Sequence, residues 1–511
     1  MRQRTMYGTG LGRYGAWGVV VAWAVGCFAF FQCCYPYHFF YKEQNQLFLW
    51  TTDYFLSYFD KPAWLACWLG DFLTQYYYYL YAGSTILTLT LLVFMAVLYA
   101  ALRHAGKKKG VALAITMILM TLEAICHLRF DFQLSSTLAL IGGAAMSLLV
   151  CKRRLPVLVI LLAIPAYWFF GYGVWLYLAL AALRQWRWAL PTAAMALLAI
   201  PLLKPFFLLP VTTLYTYPGI GRLSMPNWYL EKQLRVDNEY YFGNWNTVVQ
   251  LVEDEQEPTP EMLFFYNLVK AQQGQLPDVL LHYQPNVLGT FYQIGPDTPM
   301  MTIKNMNELY YALGDMTFCE RAAMMACVFS PNNRNNRMVK RLAECAIIKG
   351  DTAAASKYLG LLGNSLVWHE WAKEAPSSAK YKEKAQMLNR QDTISISDNA
   401  HFIMMQLLDS NPKNEVALDY ILCSTLLLKD VKNFKRDYDR YCSEHPRLCK
   451  LYQEALCIWL AASQAPQENW KHYIKDEQVM QRFMQYNQQR GSVQFNDTYW
   501  YYFDKGKAPK I

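Results

Sequence analysis

Seven apolar runs crowd the first 210 residues and then stop, and that arrangement limits the chain more than any other feature. They lie near residues 15–34, 83–102, 111–128, 134–151, 155–171, 172–184 and 188–210. A bilayer core about 30 Å thick takes roughly 20 apolar residues per helix, so the front half reads as a bundle of membrane-spanning helices. The fifth and sixth runs are parted only by the turn Phe170-Gly171-Tyr172-Gly173, which also allows a re-entrant hairpin. Prolines at 156, 165, 191, 201, 205 and 210 predict kinked late helices, which membranes tolerate when neighbours satisfy the freed backbone.

Charge marks the same boundary. Residues 1–210 hold 16 Lys and Arg against 6 Asp and Glu, and the remainder holds 32 against 33. The net charge of +9 is therefore a membrane-orientation signal and not a nucleic-acid footprint. Arg2, Arg4, Arg13, Arg103, Lys107, Lys108, Lys109, Lys152, Arg153, Arg154, Arg184 and Arg187 fall in alternate loops, and only Lys42, Lys61 and Arg129 face them. By the positive-inside rule the N-terminus is cytoplasmic. Seven crossings then put the C-terminal half outside, in the periplasm of a bacterium. Ala24-Val25-Gly26-Cys27 mimics a lipoprotein signal, but the apolar run continues through Phe31, so an uncleaved first helix is expected. The 13 cysteines show no metal-ligand spacing. Cys442 and Cys449 could bridge in an oxidising compartment, or remain buried free thiols.

After a connector at 211–236, a soluble helical region occupies 237–511. A helix that ends at a turn and is followed by a second amphipathic segment recurs there, with turns at Gly274, Gly314, Gly350 and Asp430. The intervals of 40, 36 and 80 residues, the last holding one degenerate unit, signal an α-solenoid of tetratricopeptide type. Such a solenoid offers a concave platform to a protein partner. The alternative is a helical domain that merely packs on the membrane half.

The external loop at 36–82 carries most of the chemistry. Trp64, Leu65, Trp68, Leu69 and Phe72 stand at helical spacing, which predicts an aromatic amphipathic helix in the lipid headgroup layer. Before it, Glu43, Gln46, Trp50, Asp53, Ser57 and Asp60 are spaced 3, 4, 3, 4 and 3 apart and would share one face if the segment is helical. Glu43 and Asp53 are the candidate catalytic carboxylates. Roughly 15 Å would separate them on an unbroken helix, so acting together requires a break between them. Asp60, Asp71, Trp64 and Trp68 are the lipid- or substrate-facing candidates of the same loop. Glu123 and His127, four apart on the third run, share a helix face near the outer surface with Asp131 close by. Ionisable residues within spans are functional candidates by default. No nucleotide-binding, metalloprotease, hydrolase or dinucleotide motif occurs, so no cofactor and no metal site is indicated.

The run from Tyr37 to Phe48, the stretch Leu69 to Tyr76, and the tail segments Asn411 to Tyr420 and Leu451 to Leu456 resemble an uncharacterised family of multi-pass membrane proteins from Bacteroidota. The resemblance implies a bacterial envelope protein and brings no activity with it. The architecture is also similar to that of GT-C-type membrane glycosyltransferases, which implies a lipid-linked sugar donor and makes Glu43 or Asp53 the general base. The compact acidic pair of those enzymes is missing here.

The expected fold is all-α, with about seven membrane spans followed by a tetratricopeptide-like solenoid. The expected protein sits in the bacterial inner membrane among lipids, with an external partner-binding domain. A GT-C-like transferase and a transporter subunit using Glu123 and His127 are the alternatives.

Overall fold

The computed structural model describes residues 10–153, 157–283, 300–388, 399–443 and 447–508, and within them the chain is helical, with no strand. It divides into two compact units. Unit one is Met1–Leu234 with two short returns from later in the chain, Arg334–Asn336 and Gly360–Ala372; unit two is the remainder.

Unit one contains α1 (Gly10–Ala29), α2 (Tyr37–Gln44), α3 (Thr52–Leu56), α4 (Trp64–Thr74), α5 (Ala82–His104), α6 (Lys109–Cys126), α7 (Leu134–Arg153), α8 (Val157–Phe170), α9 (Gly173–Ala199) and α10 (Val211–Thr216). Four stretches are long and apolar enough to cross a membrane, namely Trp17–Cys34, Ala82–His104, Lys109–Cys126 and Gly173–Leu203. Leu134–Val150 and Val157–Phe170 are apolar but shorter. Helix α7 is the hub and packs on α4, α5, α8 and α9. Its contact with α9 is backbone to backbone, because a Cβ on Gly143 would fall 2.0 Å from the Gly173 carbonyl oxygen. Only residues without a bulky side chain permit this closeness.

Helix α9 is not straight. At 1.5 Å per residue a straight helix would carry Leu197 about 33 Å from Trp175. Tyr215 instead stacks 6.4 Å from the Trp175 ring and donates its hydroxyl to the Leu197 carbonyl at 2.6 Å. The chain folds back at Gln185, whose φ of −132° and ψ of 46° leave the helix. The late prolines do not make this break: Pro165 and Pro191 lie inside helices, and Pro156 lies outside the described residues.

In unit two the recurring turns separate pairs of helices, and at three of the four a left-handed residue is followed directly by an aspartate cap; at Gly274 the next residue, Gln275, makes no side-chain cap. Gly314 (φ +84°) and Gly350 (φ +76°) close the first helix in the left-handed conformation that glycine adopts without strain. The next residue, Asp315 or Asp351, then accepts a backbone N–H three positions on and starts the second helix. At the last turn Lys429 takes the left-handed position (φ +60°) and Asp430 is the cap. Every residue from Ala417 to Leu427 is buried, so Glu415–Leu427 is the central helix of the unit.

A buried ion ladder crosses the same unit. Asp237 accepts from Lys304 at 2.7 Å and from Arg337 at 3.0 Å. Glu308 accepts from Arg337 at 2.9 Å and from Arg341 at 2.6 Å, and Arg341 reaches Glu344 at 2.8 Å.

Candidate functional site

The carboxylates of the first loop do not share a helix face. The chain leaves α2 at Asn45 and re-enters a helix only at Thr52, whose preceding Thr51 accepts the Tyr54 N–H. Between them the backbone bonds outward instead of along a helix. The Gln46 carbonyl accepts the Asn336 N–H at 3.1 Å, and the Trp50 N–H donates to the Asn364 carbonyl at 2.7 Å. Glu43 is 1 % exposed, and its side chain and its carbonyl both accept from the Asn336 amide. Asp53 and Asp60 stand exposed at the surface. The structure thus ties Glu43 to the returning segment and leaves Asp53 apart from it.

Helix α4 forms where the aromatic spacing places one, but it turns its small residues inward. Ala66, Cys67, Gly70 and Thr74 are buried, and a Cβ on Gly70 would meet Ser135 of α7 at 2.8 Å. Trp64 and Trp68 are half-buried in an aromatic wall. Trp68 stacks on Phe72 at 5.9 Å, and Trp64 meets Phe59 at 4.6 Å and Trp168 at 5.8 Å.

Asp71, on the same helix, ends a directed chain of hydroxyls. Tyr58 donates to Asp71 Oδ2 at 2.5 Å. Because that proton is committed, Tyr54 must donate to Tyr58 across their 2.8 Å contact. The Arg334 guanidinium lies 4.6 Å from the centre of the Tyr54 ring. Burial raises the Asp71 carboxyl above its ordinary value, opposed by the Tyr58 bond and by the charges of Arg334 and Lys61.

A second cluster joins the other predicted pair. Thr137 of α7 donates to Glu123 Oε1 at 2.7 Å, and His127 Nε2 lies 2.8 Å from the same hydroxyl. With the Thr137 proton committed to Glu123, His127 Nε2 is the donor. All three side chains are buried. Lys42 of α2 donates to the His127 carbonyl at 3.3 Å, and burial pushes its amine down to about 7. One turn earlier, His38 Nδ1 sits 2.6 Å from the Tyr35 carbonyl. A carbonyl only accepts, so Nδ1 carries the hydrogen and Nε2 is a bare acceptor, buried and without a hydrogen-bond partner among the described residues. Glu231 accepts the Tyr37 and His38 N–H groups at 2.6 and 3.2 Å, and burial pushes its carboxyl up to about 7. Asp131 stands apart, exposed and gripped by Arg129 at 2.8 and 2.6 Å.

Thr137, His38, Lys42, Glu231, Tyr58 and Arg334 were not singled out as site residues from sequence. His38 and Lys42 had a usable signal, since they stand four apart like Glu123 and His127. The others arrive from distant segments and carry none. Among the described residues no group of His, Cys, Asp and Glu is placed to hold a metal ion.

No curated protein matches the chain, and no solved structure matches it. Residues 13–506 match a family of unknown function (DUF6057), and the chain, with its helical bundle and buried polar clusters, belongs to that family.

Proposed function

We propose that this is a multi-pass protein of the bacterial inner membrane whose first external loop is a docking floor for the two returning segments Arg334–Asn336 and Gly360–Ala372, and whose tetratricopeptide-like region engages a protein partner in the periplasm. The observation that carries the reading is the closure of Glu43 on Asn336. A carboxylate that is 1 % exposed and already bonded to an amide is suited to holding a segment in place, not to activating a substrate. Two features support the topology. The fold-back of α9 at Gln185 divides one apolar stretch in two, which together with the shorter apolar helices Leu134–Val150 and Val157–Phe170 is compatible with seven crossings. The docking of Arg334–Asn336 and Gly360–Ala372 onto the loop between the first two spans asks that this loop and the C-terminal half share a side, and seven crossings satisfy that.

One observation favours a second reading, a GT-C-like transferase acting on a lipid-linked sugar. Asp71 ends a tyrosine chain and is flanked by Lys61 and Arg334, so the residue to test for a general base moves from Glu43 to Asp71.

The test is a profile of envelope glycans and lipids in cells carrying the gene deletion, Glu43→Gln or Asp71→Asn, at matched membrane levels. Under the scaffold reading both variants match wild type and only the deletion departs. Loss of one glycan in Asp71→Asn, with normal insertion, would replace it with the transferase reading.

A further inference from the structure

Cysteines separated in sequence meet in unit two at a place that spacing did not predict. Cys319 lies in the first turns of Met316–Phe329, and Cys345 lies near the end of Asn336–Lys349. The two helices run antiparallel around the short connection between them, which sets the beginning of one beside the end of the other. Glu320 and Lys349 confirm this register with a 2.7 Å ion pair across the same two helices. Ala323 and Ala326 of the first helix pack with Met338 and Leu342 of the second in one buried cluster. The Cys319 and Cys345 sulfurs are 3.4 Å apart, both fully buried. A disulfide needs about 2 Å, so closing the bond requires the two sulfurs to approach by about 1.4 Å.

We propose that Cys319 and Cys345 are joined by a disulfide in the mature protein. The inference rests on the reading of the C-terminal half as external, where an oxidising compartment lets such a bond form and persist. The oxidant is the disulfide of an envelope thiol oxidoreductase. One cysteine thiolate attacks it to give a mixed disulfide, and the second displaces the oxidoreductase. Two electrons pass to the oxidoreductase, which leaves as a dithiol, and the protons of the two cysteines balance those it gains. Because both sulfurs are buried in the folded unit, exchange takes place before the helix pair closes.

The test uses the full-length protein in its native membranes. Free thiols are trapped with N-ethylmaleimide under denaturing acid conditions, and the unreduced digest is read by mass spectrometry. A periplasm-dependent phosphatase fused after Ile511 reports the side of the C-terminus in parallel. The expected result is a linked peptide pair carrying Cys319 and Cys345, about 2 Da lighter than the two free peptides, with Cys345 alkylated only once Cys319→Ala removes its partner. Alkylated Cys319 and Cys345 beside an active phosphatase overturn the crosslink and leave the external reading standing. The same alkylation beside an inactive phosphatase overturns both, and a link from either cysteine to any other thiol overturns the pairing.

Discussion

In unit two, Asp237, Lys304, Glu308, Arg337, Arg341 and Glu344 close on one another, three acids against three bases. In unit one, His38, Lys42, Glu123, His127 and Glu231 are gathered without that balance: their hydrogen bonds go to hydroxyls and backbone groups, and the attraction of Lys42 for Glu231 and Asp131 acts without an ion-pair contact. The electrostatic results diverge accordingly. Burial alone would raise Asp237 and Glu308, but the guanidinium and ammonium partners hold both below the ordinary carboxylate range. With no such partner in contact, burial carries Glu231 up to about 7 and Lys42 down to about 7. Paired charges lock helix register, whereas groups left near neutrality are poised to exchange protons. The first arrangement is architecture, and the second is where chemistry is to be sought.

Breaking the ladder should give the largest effect. Arg337→Met leaves Asp237 and Glu308 short of a shared cation, and unit two should lose about 3–5 kcal/mol. Denaturant unfolding in micelles, followed by helix content, measures it. A loss below about 1 kcal/mol would mean the ladder is not the register lock described above.

The unpaired cluster should answer to pH instead. The Glu231 carboxyl has an ordinary value of 4.5 and rises to about 7 on folding. The unfolded chain therefore ionises it first, so its contribution to stability is greatest at low pH and is lost as pH rises between those values. The loss reaches about 3 kcal/mol at full ionisation. Unfolding across that window should show Glu231→Gln gaining on wild type as pH rises and then running parallel to it. A constant difference would place the titration elsewhere. Lys42 works in the opposite direction, losing stability as pH falls from 10.5 toward about 7.

Smaller effects sharpen the contrast within unit one. Glu43→Ala removes one of the two acceptors of the buried Asn336 amide and leaves only the backbone carbonyl, which should cost about 1 kcal/mol, while Glu43→Gln keeps an acceptor oxygen and should cost less than half of that. Equal losses in the two variants would show that charge, not the hydrogen bond, holds the returning segment. Thr137→Val removes the hydroxyl between Glu123 and His127 at constant shape, for about 1 kcal/mol in the same unfolding assay. Asp71→Asn should change stability by only a few tenths of a kcal/mol, because its amide oxygen still accepts from Tyr58. A large melting shift there would make Asp71 a packing residue and remove it from the candidates.

Much of this molecule was legible from local pattern. The all-helical class, the apolar front half and the helix pairs around Gly274, Gly314 and Gly350 follow from periodicity and turn chemistry, which act over a few residues. So does the shared face of Glu123 and His127. The 3-4 spacing from Glu43 to Asp60 misled for an instructive reason. Spacing reports which residues a helix would align, but residues 46–50 form backbone bonds with segments some 300 positions away, and those bonds displace the helix. Helix α4 was visible as a helix, yet the choice of its small face for burial depended on how closely α7 could approach. The same holds for the thiols. All four thiols are free in the structure, but Cys442 and Cys449 are merely near in sequence, while Cys319 and Cys345 come within 3.4 Å of each other because two helices pair antiparallel. By itself the sequence determined what each short stretch prefers, because helix propensity, capping and hydropathy are local energies. Only the tertiary structure decided which buried charge found a partner and which did not, because that depends on segments no local energy can bring together.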